Sequence, residues 1–103
     1  AVNNGGSAVA GYLIANIDVH DPEGYAAYRA AVPACIERFG GRFLVRAGGT
    51  ETMEGDWAPK RLVVVEFPSI EQARAFYHSD EYQALVAIRQ SCSTGDLILA
   101  EGI

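Results

Sequence analysis

Eight side chains in this sequence combine aromatic and polar chemistry in a way that could build a site: Tyr25, Tyr28, Arg46, Trp57, Glu66, Tyr77, His78 and Tyr82. A tyrosine offers an apolar ring with a hydroxyl handle, the usual lining of a small-molecule pocket. Tyr25, Tyr28, Tyr77 and Tyr82 are therefore the ligand-binding candidates. Arg46, Glu66 and His78 are the catalytic candidates. A guanidinium can hold a substrate carboxylate or enolate while a carboxylate or imidazole moves a proton. Each residue also has a plainer reading. Tyrosines at helical spacing commonly fill a core. Arg46 and Glu66 are expected on neighbouring strands, where they would pair with each other on a covered sheet face. That pairing is the first expectation.

Other chemistries find little support. Asp18 and His20 lie two apart on one strand, and with His78 they would make a two-histidine, one-carboxylate set for iron. No tight ligand spacing accompanies them. His78, flanked by Phe76, Tyr77 and Tyr82, is the one candidate for an axial haem ligand, without an attachment motif. No Gly-x-Ser-x-Gly occurs, and neither Cys35 nor Cys92 has a histidine nearby in sequence. The glycine pairs lack the spacing of a dinucleotide or phosphate loop. The expectation is no metal and no cofactor.

These residues sit in a chain of 103 residues, half of them apolar, with a net charge of −5. That is one globular domain, expected over residues 10–103 after a flexible leader at 1–9. The acidic balance and scattered basic residues argue against nucleic acid and anionic membrane as partners. No apolar run approaches the ~20 residues that a membrane helix needs. Two isolated cysteines read best as small buried thiols, which points to a reducing cytoplasm.

An apolar, β-branched run from Val9 to Val19 reads as a strand. Asp21 then caps a helix that starts at Pro22 and carries Tyr25, Tyr28, Val32, Ile36 and Phe39 at helical spacing as far as Gly40. Pro33 lies inside it and should kink it between Arg29 and Pro33. A second strand from Gly41 is expected to bend or bulge at Gly48–Gly49 and resume through Met53. Lys60 to Phe67 makes a third strand. Ser69 and Gln72 resemble a capping box ahead of a helix that breaks near Ser79 and resumes to about Cys92, with Gly95 as its cap. Leu97 to Ala100 is the last strand.

The order β-α-β-β-α-β predicts an α+β, ferredoxin-like fold, with both helical segments on one face of a four-stranded antiparallel sheet. Leu13, Ala15, Ile17 and Val19 suit the helix face. Tyr12, Ile14 and Val64 fall on the other face and are too apolar for water, so a second copy of the chain is the expected cover. Trp57, in the link before the third strand, is expected to reach that partner.

The segments YLIANIDVHDPEGYAAYRAAVPACIERFGGRFLVRAGG, EGDWAPKRLVVVEFPSIEQARAFYHSDEYQAL and TGDLILAEG together resemble the family called domain of unknown function 1330, within the dimeric alpha–beta barrel superfamily. Ser79-Asp80-Glu81-Tyr82 stands where the family usually reads Ser-Pro-Glu-Tyr. The resemblance implies a ferredoxin-like protomer whose sheets pair face to face, and it implies no established reaction. The wider superfamily includes cofactor-independent monooxygenases, haem proteins, isomerases and ligand-sensing modules, so fold alone does not choose. Two expectations follow. One is a small-molecule pocket between helices and sheet, acting on a small organic substrate without a cofactor. The other is a non-enzymatic dimeric binding or stress-associated module with no active site.

Overall fold

In the computed structural model, which describes residues 9–103, the strand-forming run opens as β1, Gly11–Val19. Its alternation decides the layering: Leu13, Ala15 and Ile17 are buried while Tyr12, Ile14 and Asn16 are half-covered. The expected leader falls largely on residues outside those described. Helix α1, Pro22–Arg38, begins where the Asp21 carboxylate accepts from the Gly24 N–H, with proline at the first helical position. It buries Tyr25, Tyr28, Val32, Cys35 and Ile36, one stripe at three- and four-residue spacing. Gly40, at φ +79°, ends it in the left-handed conformation that glycine adopts without strain.

Strand β2, Arg42–Arg46, is shorter than expected. Ala47 at φ +58° turns the chain out of the sheet, and no strand resumes toward Met53. The bulge lies within β2, between Phe43 and Val45, and not at Gly48–Gly49. Strand β3, Leu62–Phe67, pairs with both β2 and β1. Helix α2, Ile70–His78, is capped by the Ser69 hydroxyl, which accepts from Gln72 N–H. The Gln72 side chain donates to the Phe39 carbonyl instead of closing a capping box.

The expected break falls at Ser79. This residue ends α2 and caps α3, Asp80–Cys92, its hydroxyl donating to the Phe76 carbonyl and accepting from Tyr82 N–H. Strand β4, Ser93–Glu101, follows at once, so Gly95 is a strand residue and not a helix cap. A side chain there would collide with the Asn16 carbonyl.

The sheet order is β2-β3-β1-β4, all neighbours antiparallel, which is the ferredoxin-like arrangement. Phe67, Phe76 and Tyr82 fill the centre of the helix–sheet layer, with Phe76 and Tyr82 ring centroids 4.2 Å apart. Both cysteines are buried free thiols.

Candidate functional site

The helix–sheet layer is not completely filled. A cavity of about 40 Å³ lies among Tyr25 and Tyr28 of α1, Tyr82 and Arg89 of α3, and the inward residues of the sheet, including Ile17, Phe43 and Val63. By this measure about one water needs 10–15 Å³, so the space admits a group of a few heavy atoms. An open cleft of about 570 Å³ shares Tyr25, Arg29, Arg46 and Arg61 with it and forms the outer vestibule.

Two tyrosines supply the polar floor. The hydroxyls of Tyr28 and Tyr82 are 2.8 Å apart and buried. Burial, then the Tyr82 hydroxyl beside it, pushes the Tyr28 pKa far above the ordinary phenol value, so it stays neutral across the physiological range. Only one proton can lie between the two oxygens. Whichever hydroxyl donates, the other retains an O–H to give. Burial likewise raises the Tyr25 pKa, against the opposing pull of Arg61.

Arg89 is the unusual group. It is 7% exposed, lines the cavity, and its buried Nε–H meets no acceptor. Its guanidinium carbon lies 5.8 Å from the Tyr28 ring centroid, so a π face is what opposes its charge. The helix explains its position: Tyr82, Val86 and Arg89 repeat at four and three along the buried stripe of α3.

The arginines divide into two groups. Arg38, Arg42 and Arg74 each have a carboxylate partner: Glu81, Glu66 and Glu71. Arg29, Arg46, Arg61 and Arg89 line the cavity, and none is in an ion pair among the described residues. No Asp, Glu or His lines the cavity or its vestibule among those residues. In a chain of net charge −5, this is a locally cationic site.

The expected Arg46–Glu66 pair is not formed, because the register sets Glu66 opposite Arg42 and leaves Arg46 farther along the strand. Arg42 opposes Glu66 and Phe43 opposes Val65, but Val45 then opposes Val64 and Arg46 opposes Val63. The extra residue inverts the alternation, so Arg42 and Arg46 leave on opposite faces despite an even separation. Arg42 takes Glu66 at 2.8 Å, and the Tyr12 hydroxyl donates to the same carboxylate at 3.1 Å. Glu66 thus lies on the open sheet face, away from the cavity. Arg46 crosses to the helix side, lies 4.5 Å above the Phe43 ring, and donates to the Arg29 carbonyl at 2.9 Å.

His78 is exposed at the end of α2 and lies outside the cavity lining, its ring 5.3 Å from Tyr77. Tyr77 reaches Tyr82 at 5.8 Å, and Tyr82 reaches Tyr28 at 6.3 Å. The tyrosines therefore approach one another, but His78 stands at the outer end of the series. Tyr25, Tyr28 and Tyr82 line the cavity and Tyr77 does not. Arg29, Arg61 and Arg89 were not among the expected site residues. Arg61 keeps step with Val63 and Val65, and Arg89 falls on the apolar stripe of α3; both signals are present in the sequence. Among the described residues no group of three or more His, Cys, Asp or Glu could hold a metal ion, and no helix is long and apolar enough to cross a membrane.

On the open face, Ile14, Leu62 and Ile98 border a groove with Trp57, which is 62% exposed. Trp57 stands in the 47–61 link, which is tied to β1 by the Asn16 carboxamide oxygen accepting from Lys60 N–H at 3.0 Å. Ile98, at 58% exposed, leaves much of this face uncovered.

A family model, described as Domain of unknown function (DUF1330), matches residues 10–103. A protein of unknown function from Rhodopseudomonas palustris, RPA0582, is similar in structure, with a TM-score of 0.74 and 18% identity over 92% of this chain and 83% of that one. SnoaB, a cofactor-independent oxygenase from Streptomyces nogalater, superposes with a TM-score of 0.59 at 14% identity, over 93% of this chain and 95% of its own. A Bacteroides thetaiotaomicron protein of unknown function, described as a possible oxidoreductase, gives 0.58 and 18% over 91% and 98%. A comparison with curated proteins finds no match. At these identities the structural likenesses show a shared fold.

Proposed function

Because the chain belongs to the DUF1330 family, whose description names no reaction, we propose its function from the site: it binds a small organic molecule between the helices and the sheet. The carrying observation is the cavity beside the Tyr28–Tyr82 hydroxyl pair and Arg89, whose Nε–H has no acceptor. A filled layer would have suited a module with no site. Buried donors left unused at a void are costly unless something accepts from them.

The lining supplies positive charge and a neutral hydroxyl but no side chain that takes a proton at neutral pH. Binding is therefore the first reading. Catalysis without a cofactor is the second, supported by Arg89: a dry guanidinium would stabilise negative charge developing on a substrate. The fold shared with SnoaB is compatible with it.

The binding unit we propose is a two-fold homodimer with the open sheet faces together. Tyr12, Ile14, Val64 and Ile98 form an apolar face with no helix over it among the described residues, and Trp57 stands at its border. Two buried free thiols suit a reducing cytoplasm.

Amide NMR spectra recorded against a library of small fragments test the binding reading. Shifts should concentrate on Tyr25, Tyr28, Tyr82 and Arg89. Shifts confined to the open sheet face and the 47–61 link would overturn it.

A further inference from the structure

The four unpaired arginines have a common destination, and we infer that the ligand of this site is a small organic monocarboxylate, its carboxylate seated between Arg89 and the free O–H of the Tyr28–Tyr82 pair. The inference rests on the binding reading above and adds the chemical class. Three observations carry it independently of any resemblance. Arg89 is a buried cation that lines the cavity, and its Nε–H has no acceptor. The tyrosine pair holds one donor more than it consumes. Every arginine outside the cavity has a glutamate, while those at the cavity have none among the described residues.

The site thus presents donors and positive charge with no matching acceptor, the complement of an anion. Size and polarity narrow the class. The inner space of about 40 Å³ admits a planar head of a few atoms. A phosphate would bring more charge and more oxygens than one guanidinium and one hydroxyl satisfy. Ile17, Val32, Phe43 and Val63 make the remaining walls apolar, which suits a hydrocarbon body. Arg29, Arg46 and Arg61 stand in the vestibule, where they draw an anion inward and discourage a cation.

Isothermal titration of the full chain with acetate, butyrate and benzoate, each against its own amide, and with inorganic phosphate tests this. An amide keeps the shape of its acid and loses the charge. At least one acid is expected to bind about tenfold or more tightly than its amide and than phosphate, as a charge-assisted pair outweighs a neutral one. In Arg89→Met that preference should vanish while the melting temperature without ligand holds or rises, because an unpaired buried charge has been removed. A purely structural Arg89 would instead lower the melting temperature and leave the preference intact, which overturns the assignment. An amide that matches every acid overturns the anionic class and leaves the pocket standing. Phosphate as the tightest probe overturns the carboxylate. No binding by any probe up to about 20 mM overturns both readings, since this corresponds to less than a weak fragment's affinity. If Arg89→Met does not fold, Arg89→Lys replaces it: the point charge stays and the Nε–H goes, so the preference should fall severalfold.

Discussion

The carbonyl that Pro33 leaves without a donor is the one Arg46 takes. In α1 the N–H of residue 33 would bond to the oxygen of residue 29, but proline has no N–H. The Arg46 guanidinium donates to that oxygen at 2.9 Å. The helix continues through Pro33 to Arg38, so the effect of the proline is read in a cross-element hydrogen bond between α1 and β2. It also anchors one of the vestibule arginines.

The two residues should therefore be coupled. Arg46→Ala is expected to cost about 0.5–1.5 kcal/mol in the natural background, the usual worth of such a bond, and less once Pro33→Ala has restored the helical donor. Urea denaturation of the four proteins of the cycle measures it. Equal costs in both backgrounds would break the link.

The tyrosine pair should appear in alkaline stability. The folded Tyr28 pKa lies above its unfolded value of about 10, so its contribution is complete below that pH. Above it the unfolded chain loses the proton that the folded chain keeps, and stability falls as pH rises. Tyr28→Phe should flatten that decline, while losing about 1–3 kcal/mol at neutral pH because the Tyr82 hydroxyl is left alone. Absorbance at 295 nm with pH, alongside melting curves, checks both parts.

Ser79 serves two helices with one hydroxyl. Ser79→Ala is expected to lower stability by about 1–2 kcal/mol, at the upper end for a cap. Ser79→Asp should recover part of that, since a carboxylate still accepts from Tyr82 N–H but cannot donate to Phe76. Thermal melts of the three proteins would show the order; an alanine variant as stable as the natural chain would contradict it.

Trp57 tests the assembly. If the open faces meet, Trp57→Ala should weaken dimerisation by about 1–4 kcal/mol, the range of a truncated hot spot. Light scattering through a dilution series reads this directly. A natural chain that stays monomeric at micromolar concentration removes the dimer itself. An unchanged dimer constant with a lower melting temperature would make Trp57 an anchor of its own link.

The layers of this fold were legible because period and punctuation agree. Leu13, Ala15 and Ile17 alternate, Tyr25 to Ile36 follow helical spacing, and Asp21-Pro22 and Ser69 mark helix starts. Legibility failed where one residue shifted a register. Gly48–Gly49 looked like the irregular place, but the bulge lies at Leu44, among residues with ordinary strand propensity. That displacement turned Arg46 toward the cavity, while the register ahead of it gives Glu66 to Arg42. Arg89 was legible in principle: a charged residue in step with Tyr82 and Val86 is the buried polar exception that marks a site. His78 has aromatic neighbours in sequence, but its place at the exposed end of α2 puts it outside the cavity.

The bulge in β2 also governs how this chain should be aligned with others. An alignment treats a strand as a string of equivalent columns, yet here the column of Leu44 works as a frame shift for side-chain direction. A homologue that runs this strand without the bulge but keeps an arginine four positions after Arg42 would have the same letters and a different machine. Its second arginine would lie on the open sheet face, and its pocket would have lost a cation. Transfer of function within the family should therefore follow the register of this strand before it follows residue identity: a deletion at Leu44 keeps the arginine on the helix side, and an unbulged strand of equal length does not.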